Sequence, residues 1–72
     1  MYDIRIKNLE DNYLVIEKVI EYTGGYKYFF LRTNDKTLSF DRVNIKLIEH
    51  KTHNNPVASW VPVLLRKPRI TL

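Results

Sequence analysis

The sequence predicts one small all-β domain of four or five antiparallel strands, and three observations support this class. Residues 2–7 alternate apolar and polar side chains, as a half-buried strand does. Residues 26–33 are rich in aromatic residues, which favour strands. Candidate tight turns, Gly24-Gly25 and Asn34-Asp35, lie on both sides of that run. Together these features indicate two β-hairpins that share a middle strand.

The strand at residues 2–7 comes first in the chain. Its alternation turns Tyr2, Ile4 and Ile6 toward one face, and we expect that face to lie against the core. A polar break at residues 8–12 ends the strand.

Residues 13–23 fit both a strand and a helix. Apolar residues at positions 9, 13, 16 and 20 have helical spacing, so an α+β domain with a helix over residues 9–22 stays open as the alternative. However, β-branched residues occupy four of the six positions 15–20, and β-branched side chains favour strands. We therefore predict a strand.

The two candidate hairpins can be tested by their registers. A two-residue turn at Asn34-Asp35 places Leu31 opposite Leu38 and Phe29 opposite Phe40, so apolar side chains meet. The same test at Gly24-Gly25 pairs residue 20 with residue 29 and residue 17 with residue 32. Both registers are consistent with an apolar inner face.

The later elements are a strand at residues 36–40, a polar corner at 41–44 and a strand at 45–49. This order resembles that of SH3-like and Sm-like small barrels, which implies an SH3-like or partly open barrel. The resemblance rests on the order of elements, and it carries no function. The predicted core consists of Ile4, Ile6, Ile16, Ile20, Phe29, Leu31, Leu38, Phe40, Val43, Ile45 and Leu47.

The composition of the chain changes after residue 49, where prolines and basic residues become frequent and no acidic residue occurs. We assign residues 1–49 to the barrel domain and residues 50–72 to a Pro-containing, basic C-terminal segment packed on the domain or on a partner. Residues 50–56 are predicted to be a polar linker. The apolar segment Trp60–Leu65 is expected to pack along a sheet edge, to cover the open end of the barrel, or to dock on another copy or a partner.

Composition narrows the class of protein. The chain has no cysteine, which excludes disulfides and suits a reducing compartment, and its apolar runs are too short to cross a bilayer. The first residues have no signal-peptide character, so we expect a cytoplasmic protein without a membrane role. Residues 1–25 carry three bases and five acids, whereas residues 26–72 carry nine bases and three acids, so an anionic partner would be drawn to the second half.

No catalytic or cofactor motif is visible. Neither serine lies in a Gly-x-Ser-x-Gly turn, and the Gly24-Gly25 pair lacks the spacing of a phosphate-binding loop. His50 and His53 are three residues apart, but they lie in a predicted linker without a further histidine or any cysteine. We therefore expect neither an enzyme nor a metal or cofactor site.

The outward face of the predicted hairpins is the main candidate for function. Its exposed aromatic residues and the Trp60 segment favour binding of a protein partner or of another copy. The competing interpretation is that the Trp60–Leu65 segment covers this face and makes it a second core. The predicted partner-binding residues are Tyr26, Tyr28, Phe30, Arg32 and Trp60.

Nucleic-acid binding is the alternative function, with rings stacking on bases and cations contacting phosphates. Its predicted residues are Arg32, Lys36, Arg42, Lys46, Arg66, Lys67 and Arg69. Against it, the predicted register places Glu17 and Glu21 on the aromatic face, where they would repel phosphate. The first hypothesis is therefore a non-catalytic interaction module, of a size typical of the accessory proteins of phages and mobile elements.

Overall fold

The computed structural model describes residues 1–64. The predicted nucleic-acid contacts Arg66, Lys67 and Arg69 lie outside these residues, as does Leu65. The protein is all-β, as predicted. Its elements are β1 (Tyr2–Asn8), β2 (Tyr13–Val19), β3 (Glu21–Gly24), β4 (Tyr28–Arg32), β5 (Thr37–Asp41), a one-turn 3-10 helix (Arg42–Asn44), β6 (Ile45–Thr52) and β7 (Val61–Pro62).

The strands form two antiparallel sheets that share one core. A four-stranded sheet has the order β2-β1-β6-β7, and a three-stranded sheet has the order β3-β4-β5. Within residues 1–64 these sheets do not close into a barrel, because β2 and β5 are both edge strands without a strand between them. The architecture is therefore a pair of small packed sheets.

The β4–β5 hairpin has the predicted register. Phe29 pairs with Phe40 and Leu31 pairs with Leu38. The Asn34-Asp35 turn is closed by a hydrogen bond from the Thr33 backbone N–H to the Lys36 carbonyl, at 2.9 Å. Phe29 and Leu31 are fully buried, so the predicted inner face of β4 is confirmed.

The hairpin predicted at Gly24-Gly25 forms with a different register. Gly24 rather than Ile20 lies opposite Phe29, and the two-residue turn consists of Tyr26 and Lys27. A 2.8 Å hydrogen bond from the Gly25 N–H to the Tyr28 carbonyl closes that turn. Neither glycine has a positive φ, so the reason for placing the turn on them was wrong.

The stretch at residues 13–23 is strand rather than helix, as predicted, but it is divided between two strands in two different sheets. β2 pairs with β1, and β3 pairs with β4. The change occurs next to Lys18, whose φ of 59° makes a β-bulge, and the Lys18 N–H donates to Asp3 Oδ1 at 3.4 Å. The bulge shifts side-chain parity, so Val19 enters the core and Ile20 is partly buried.

A second bulge changes the parity of β6. Asn8 pairs with Ile45 but Lys7 pairs with Leu47, which leaves Lys46 as the extra residue. Ile48, not the predicted Leu47, is therefore buried, opposite Ile6 of β1. β6 also continues to Thr52, three residues into the stretch that we expected to be linker.

The core combines both sheets. Its buried side chains are Ile4, Ile6, Val19, Phe29, Leu31 and Ile48, and around them pack Ile16, Tyr22, Leu38, Phe40, Ile45 and Val63. Besides Leu47, the predicted core residue Val43 lies outside the core, and it is 74% exposed because it lies in the 3-10 turn. Tyr2 packs against Tyr22 but is 38% exposed at the end of β1.

Tyr22 joins the two sheets on one side of the core. Its ring packs edge-on against Tyr2, with centroids 5.6 Å apart, and against Phe29 at 5.9 Å. Its hydroxyl forms a 3.2 Å hydrogen bond with His50 Nδ1. Burial raises the pKa of Tyr22 above its usual value, and the nearby Tyr2 hydroxyl adds to this rise.

The described part of the C-terminal segment packs along the edge of the four-stranded sheet. Val61 pairs with His50, and the Val63 N–H donates to the Ile48 carbonyl at 2.8 Å. Of the three positions expected for this segment, the edge is the one observed for residues 61–63. No helix among residues 1–64 has the length and apolarity needed to cross a membrane.

Candidate functional site

The outer face of the three-stranded sheet carries an aromatic ridge, which consists of Tyr28 and Phe30. Both residues lie on β4, where alternate side chains point away from the buried Phe29 and Leu31. Their side chains are 44% and 39% exposed, and their ring centroids lie 5.9 Å apart. The two rings therefore present one continuous apolar surface to solvent.

The neighbours of the aromatic ridge are small, which leaves the rings raised above the sheet. Phe30 has Thr23 on one side and Ser39 on the other. Tyr28 lies opposite Asp41 on β5 and beside Gly25 on the other side, where a turn hydrogen bond links Gly25 to it. Cross-strand neighbours of this size cannot cover a phenyl ring, so both rings are half exposed within residues 1–64.

Charged groups of both signs border the ridge. Arg32 Nε lies 2.8 Å from Glu21 Oε1, and Glu21 is the cross-strand neighbour of Arg32. The predicted register had placed Glu21 opposite Tyr28 and Glu17 opposite Arg32. That placement was wrong because the hairpin is shifted by four residues, and Glu17 lies on β2 in the other sheet.

A shallow depression of about 450 Å³ lies at the Arg32 end of the face. Phe30, Arg32 and Thr37 border it, together with β3. Its lining combines an aromatic edge, a hydroxyl and an ion pair, which suits a peptide side chain better than a fully apolar ligand.

Two of the predicted partner-binding residues lie away from the ridge. Tyr26 lies in the turn that joins β3 and β4, where it is 47% exposed. Trp60 lies on the outer face of the other sheet, half-buried, with its ring centroid 4.6 Å from Arg5 Cζ and 5.0 Å from Lys51 Nζ. It therefore neither covers the aromatic ridge nor extends it.

The Arg5 cluster, which consists of Arg5, Tyr13, Glu49 and Trp60, was not predicted from the sequence. The Arg5 guanidinium lies between the Tyr13 ring, at 4.8 Å, and the Trp60 ring. Its Nε and Nη2 donate to Glu49 Oε1 at 3.0 and 2.8 Å. The alternation of β1 does turn Arg5 outward, but the pairing of β1 with β2 and β6 is needed to find its partners.

Most of the predicted phosphate-binding residues in the described chain are engaged with protein acceptors. Lys46 Nζ lies 2.8 Å from Asp11 Oδ1, and Arg42 Nη1 donates to the Gly25 carbonyl at 2.5 Å. The hydrogen bond and charge of Lys46 lower the pKa of Asp11, and Lys7 adds to this effect. Lys36 lies in the β4–β5 turn.

The two histidines point to different parts of the fold. His50 contacts Tyr22, whereas His53 Nδ1 lies 2.7 Å from Oδ1 of the buried Asp3. The His53 backbone N–H also donates to the Met1 carbonyl at 3.0 Å, so this residue ties the start of the chain to the end of β6. Within residues 1–64, no three His, Cys, Asp or Glu side chains are grouped to hold a metal ion.

Comparisons with known proteins place this chain in no family. No protein-family model, curated protein or solved structure matches it. Its function is therefore inferred from the chemistry of its surface.

Proposed function

We propose that this chain is a non-catalytic interaction module that binds a protein partner through the aromatic ridge of Tyr28 and Phe30. The observation that carries the proposal is the exposure of two adjacent rings on the central strand of the three-stranded sheet. Aromatic side chains dominate the buried centres of protein interfaces because they bury a large area with few rotatable bonds. A second copy of the chain is the other candidate occupant of the ridge.

The charges around the ridge favour a protein over a nucleic acid. The Arg32 guanidinium is already paired with Glu21, and Asp41 lies opposite Tyr28. A polynucleotide would bring phosphates against these carboxylates, whereas a protein can offer charges of either sign. Nucleic-acid binding, a cytoplasmic location and a phage or mobile-element origin remain predictions from the sequence.

The proposal is tested by capture from lysate of the native host, followed by affinity measurement with the captured protein. The double variant Tyr28→Thr with Phe30→Thr removes both rings and keeps the β propensity of the strand. Truncation of a ring at an interface centre costs about 2 kcal/mol or more, which is about 30-fold in affinity, so the double variant should bind about 1,000-fold more weakly if the two costs add.

Leu9→Thr is the matched control, because Leu9 is an exposed apolar residue outside the three-stranded sheet. It should bind as the wild type does. Equal binding by the double variant would refute the proposal. Tight, strongly salt-dependent binding of oligonucleotides would instead support the alternative function.

A further inference from the structure

One edge of the four-stranded sheet lies at β2. β2 ends the four-stranded sheet, and the side facing away from β1 has no strand partner within residues 1–64. Tyr13, Leu14 and Val15 are 51%, 49% and 48% exposed, so side chains on both faces of the strand are about half exposed to solvent. Strand edges of this kind offer backbone hydrogen-bonding groups to another chain.

A groove of about 590 Å³ runs along this edge. β2 forms one wall, and the β5 edge with its turn forms the other. Leu38 and Phe40, which are only partly buried in the core, line it. The opening between the two sheets therefore has apolar side chains on both walls, beside the polar residues of the β4–β5 turn, and one added strand would cover them.

The usable edge is five residues long. It begins at Tyr13 and ends at Glu17, because Lys18 has a positive φ and the bulge there interrupts the strand. Val15 is its central residue. A five-residue edge with a single central residue can pair with an identical edge about a two-fold axis.

We propose that the β2 edge pairs antiparallel with the β2 edge of a second copy, with the two-fold axis at Val15. This register places Val15 opposite its own counterpart and Leu14 opposite Ile16 of the other copy. Leu14 and Ile16 share the inner face of β2, since they pair with Ile6 and Ile4 of β1. The contact therefore covers the exposed Leu14 with an apolar side chain, and it does so twice.

The charges at the ends of the edge do not oppose this register. Glu17 forms no ion pair within residues 1–64. The pairing places it beside Tyr13 of the other copy, whose ring centroid lies 5.4 Å from Lys7 Nζ. Lys7 is itself paired with Asp11 at 3.5 Å, so the register gives Glu17 an aromatic neighbour rather than a free cation. Glu17 is the only charged residue of the five, and no like charges face each other across them.

This inference goes beyond the proposed function, since it uses a different strand in a different sheet. A five-residue strand pair is a small interface, below the roughly 1,200 Å² of stable complexes, so we expect a weak dimer with a Kd of about 100 μM. Sedimentation velocity from about 10 μM to 1 mM covers the range in which such a dimer forms.

Val15→Lys and Val15→Glu test the register directly. Each variant places two like charges opposite each other at the two-fold axis, which should weaken self-association at least about tenfold. An equimolar mixture should associate again, because the new lysine then faces the new glutamate. Circular dichroism establishes that both variants are folded, and Val57→Lys, at a position that is 85% exposed outside the strands, should dimerise as the wild type does.

A wild type that stays monomeric at about 1 mM would overturn the inference. So would a Val15→Lys variant that dimerises normally, or a mixture that associates no better than either variant alone. The Tyr28→Thr, Phe30→Thr double variant should keep the dimer and lose the protein partner. Failure of the dimer and failure of the proposed function are therefore observed separately.

Discussion

The outer faces of the two sheets both carry aromatic residues, but they use them differently. On the four-stranded sheet, Tyr13 and Trp60 enclose the Arg5 guanidinium, which Glu49 also holds. On the three-stranded sheet, the rings of the aromatic ridge contact each other and leave one side open to solvent.

The difference teaches that an exposed aromatic residue is not by itself a binding signal. Rings packed against a cation and its carboxylate partner stabilise the fold, and their removal loses the cation–π contact and the packing around the ion pair. Rings among threonine, serine and glycine have no such partners. We therefore expect substitutions on the four-stranded sheet to lower stability and substitutions at the aromatic ridge to lower binding.

Among residues on the two outer faces, removal of the Arg5 side chain should have the largest effect on stability. Arg5→Ala deletes two contacts with rings and leaves the largely buried Glu49 carboxylate without its cation. The expected loss is about 2–3 kcal/mol in the free energy of unfolding, measured by urea denaturation. Arg5→Lys keeps the charge but not the planar fork, and it should lose about half as much. A loss below about 0.5 kcal/mol for Arg5→Ala would show that the cluster is a solvated surface.

Trp60→Ala should have the next largest effect. It removes one of the two rings beside Arg5 and the ring near Lys51, while the Arg5–Glu49 ion pair remains. We expect a loss of about 1–2 kcal/mol, measured by urea denaturation followed by circular dichroism. Trp60→Phe keeps a smaller ring and should therefore lose less stability than Trp60→Ala. If Trp60→Ala leaves stability unchanged but abolishes partner binding, the contrast between the two faces is reversed.

The aromatic ridge should contribute less to stability than Arg5 or Trp60 does. The Tyr28→Thr, Phe30→Thr double variant loses one ring-to-ring contact and half-exposed area, so we expect a cost of about 1 kcal/mol or less. Thermal and urea unfolding measure this cost. Phe29→Ala in the same strand is the contrast, with an expected cost of about 3–5 kcal/mol because Phe29 is fully buried. Collapse of the double variant would show that the ridge belongs to the core.

The smallest effect concerns the ion pair between Lys46 and Asp11. Lys46→Gln removes the main cause of the lowered pKa of Asp11, so that pKa should rise toward 3.8, as measured by carboxyl NMR titration. Because the folded pKa is lower than the unfolded one, the pair stabilises the fold above about pH 4, and this contribution disappears as the pH falls through the lowered pKa. Lys36→Gln is the control and should leave the pKa of Asp11 unchanged.

Local sequence patterns were sufficient to predict the β4–β5 hairpin and the outward orientation of the aromatic ridge. Partners in that hairpin are a few residues apart, so the apolar match of Phe29 with Phe40 selects one register. The sequence leaves several positions open for the Trp60 segment, because nothing in its own neighbourhood shows which sheet it will reach. Arg5 and Glu49 are 44 positions apart, so their contact cannot be read from spacing.

The amino-acid sequence alone determined that the chain forms strands and that the β4–β5 hairpin turns at residues 34–35. It also determined which face of β4 is apolar. The tertiary structure decided where β2 ends, because Lys18 adopts its bulge against Asp3 of a different strand. It also decided that Ile48 rather than Leu47 is buried, and which rings acquire a cation. Side-chain alternation is a local property of extended backbone, whereas bulges, strand order and the covering of a face depend on contacts between distant segments.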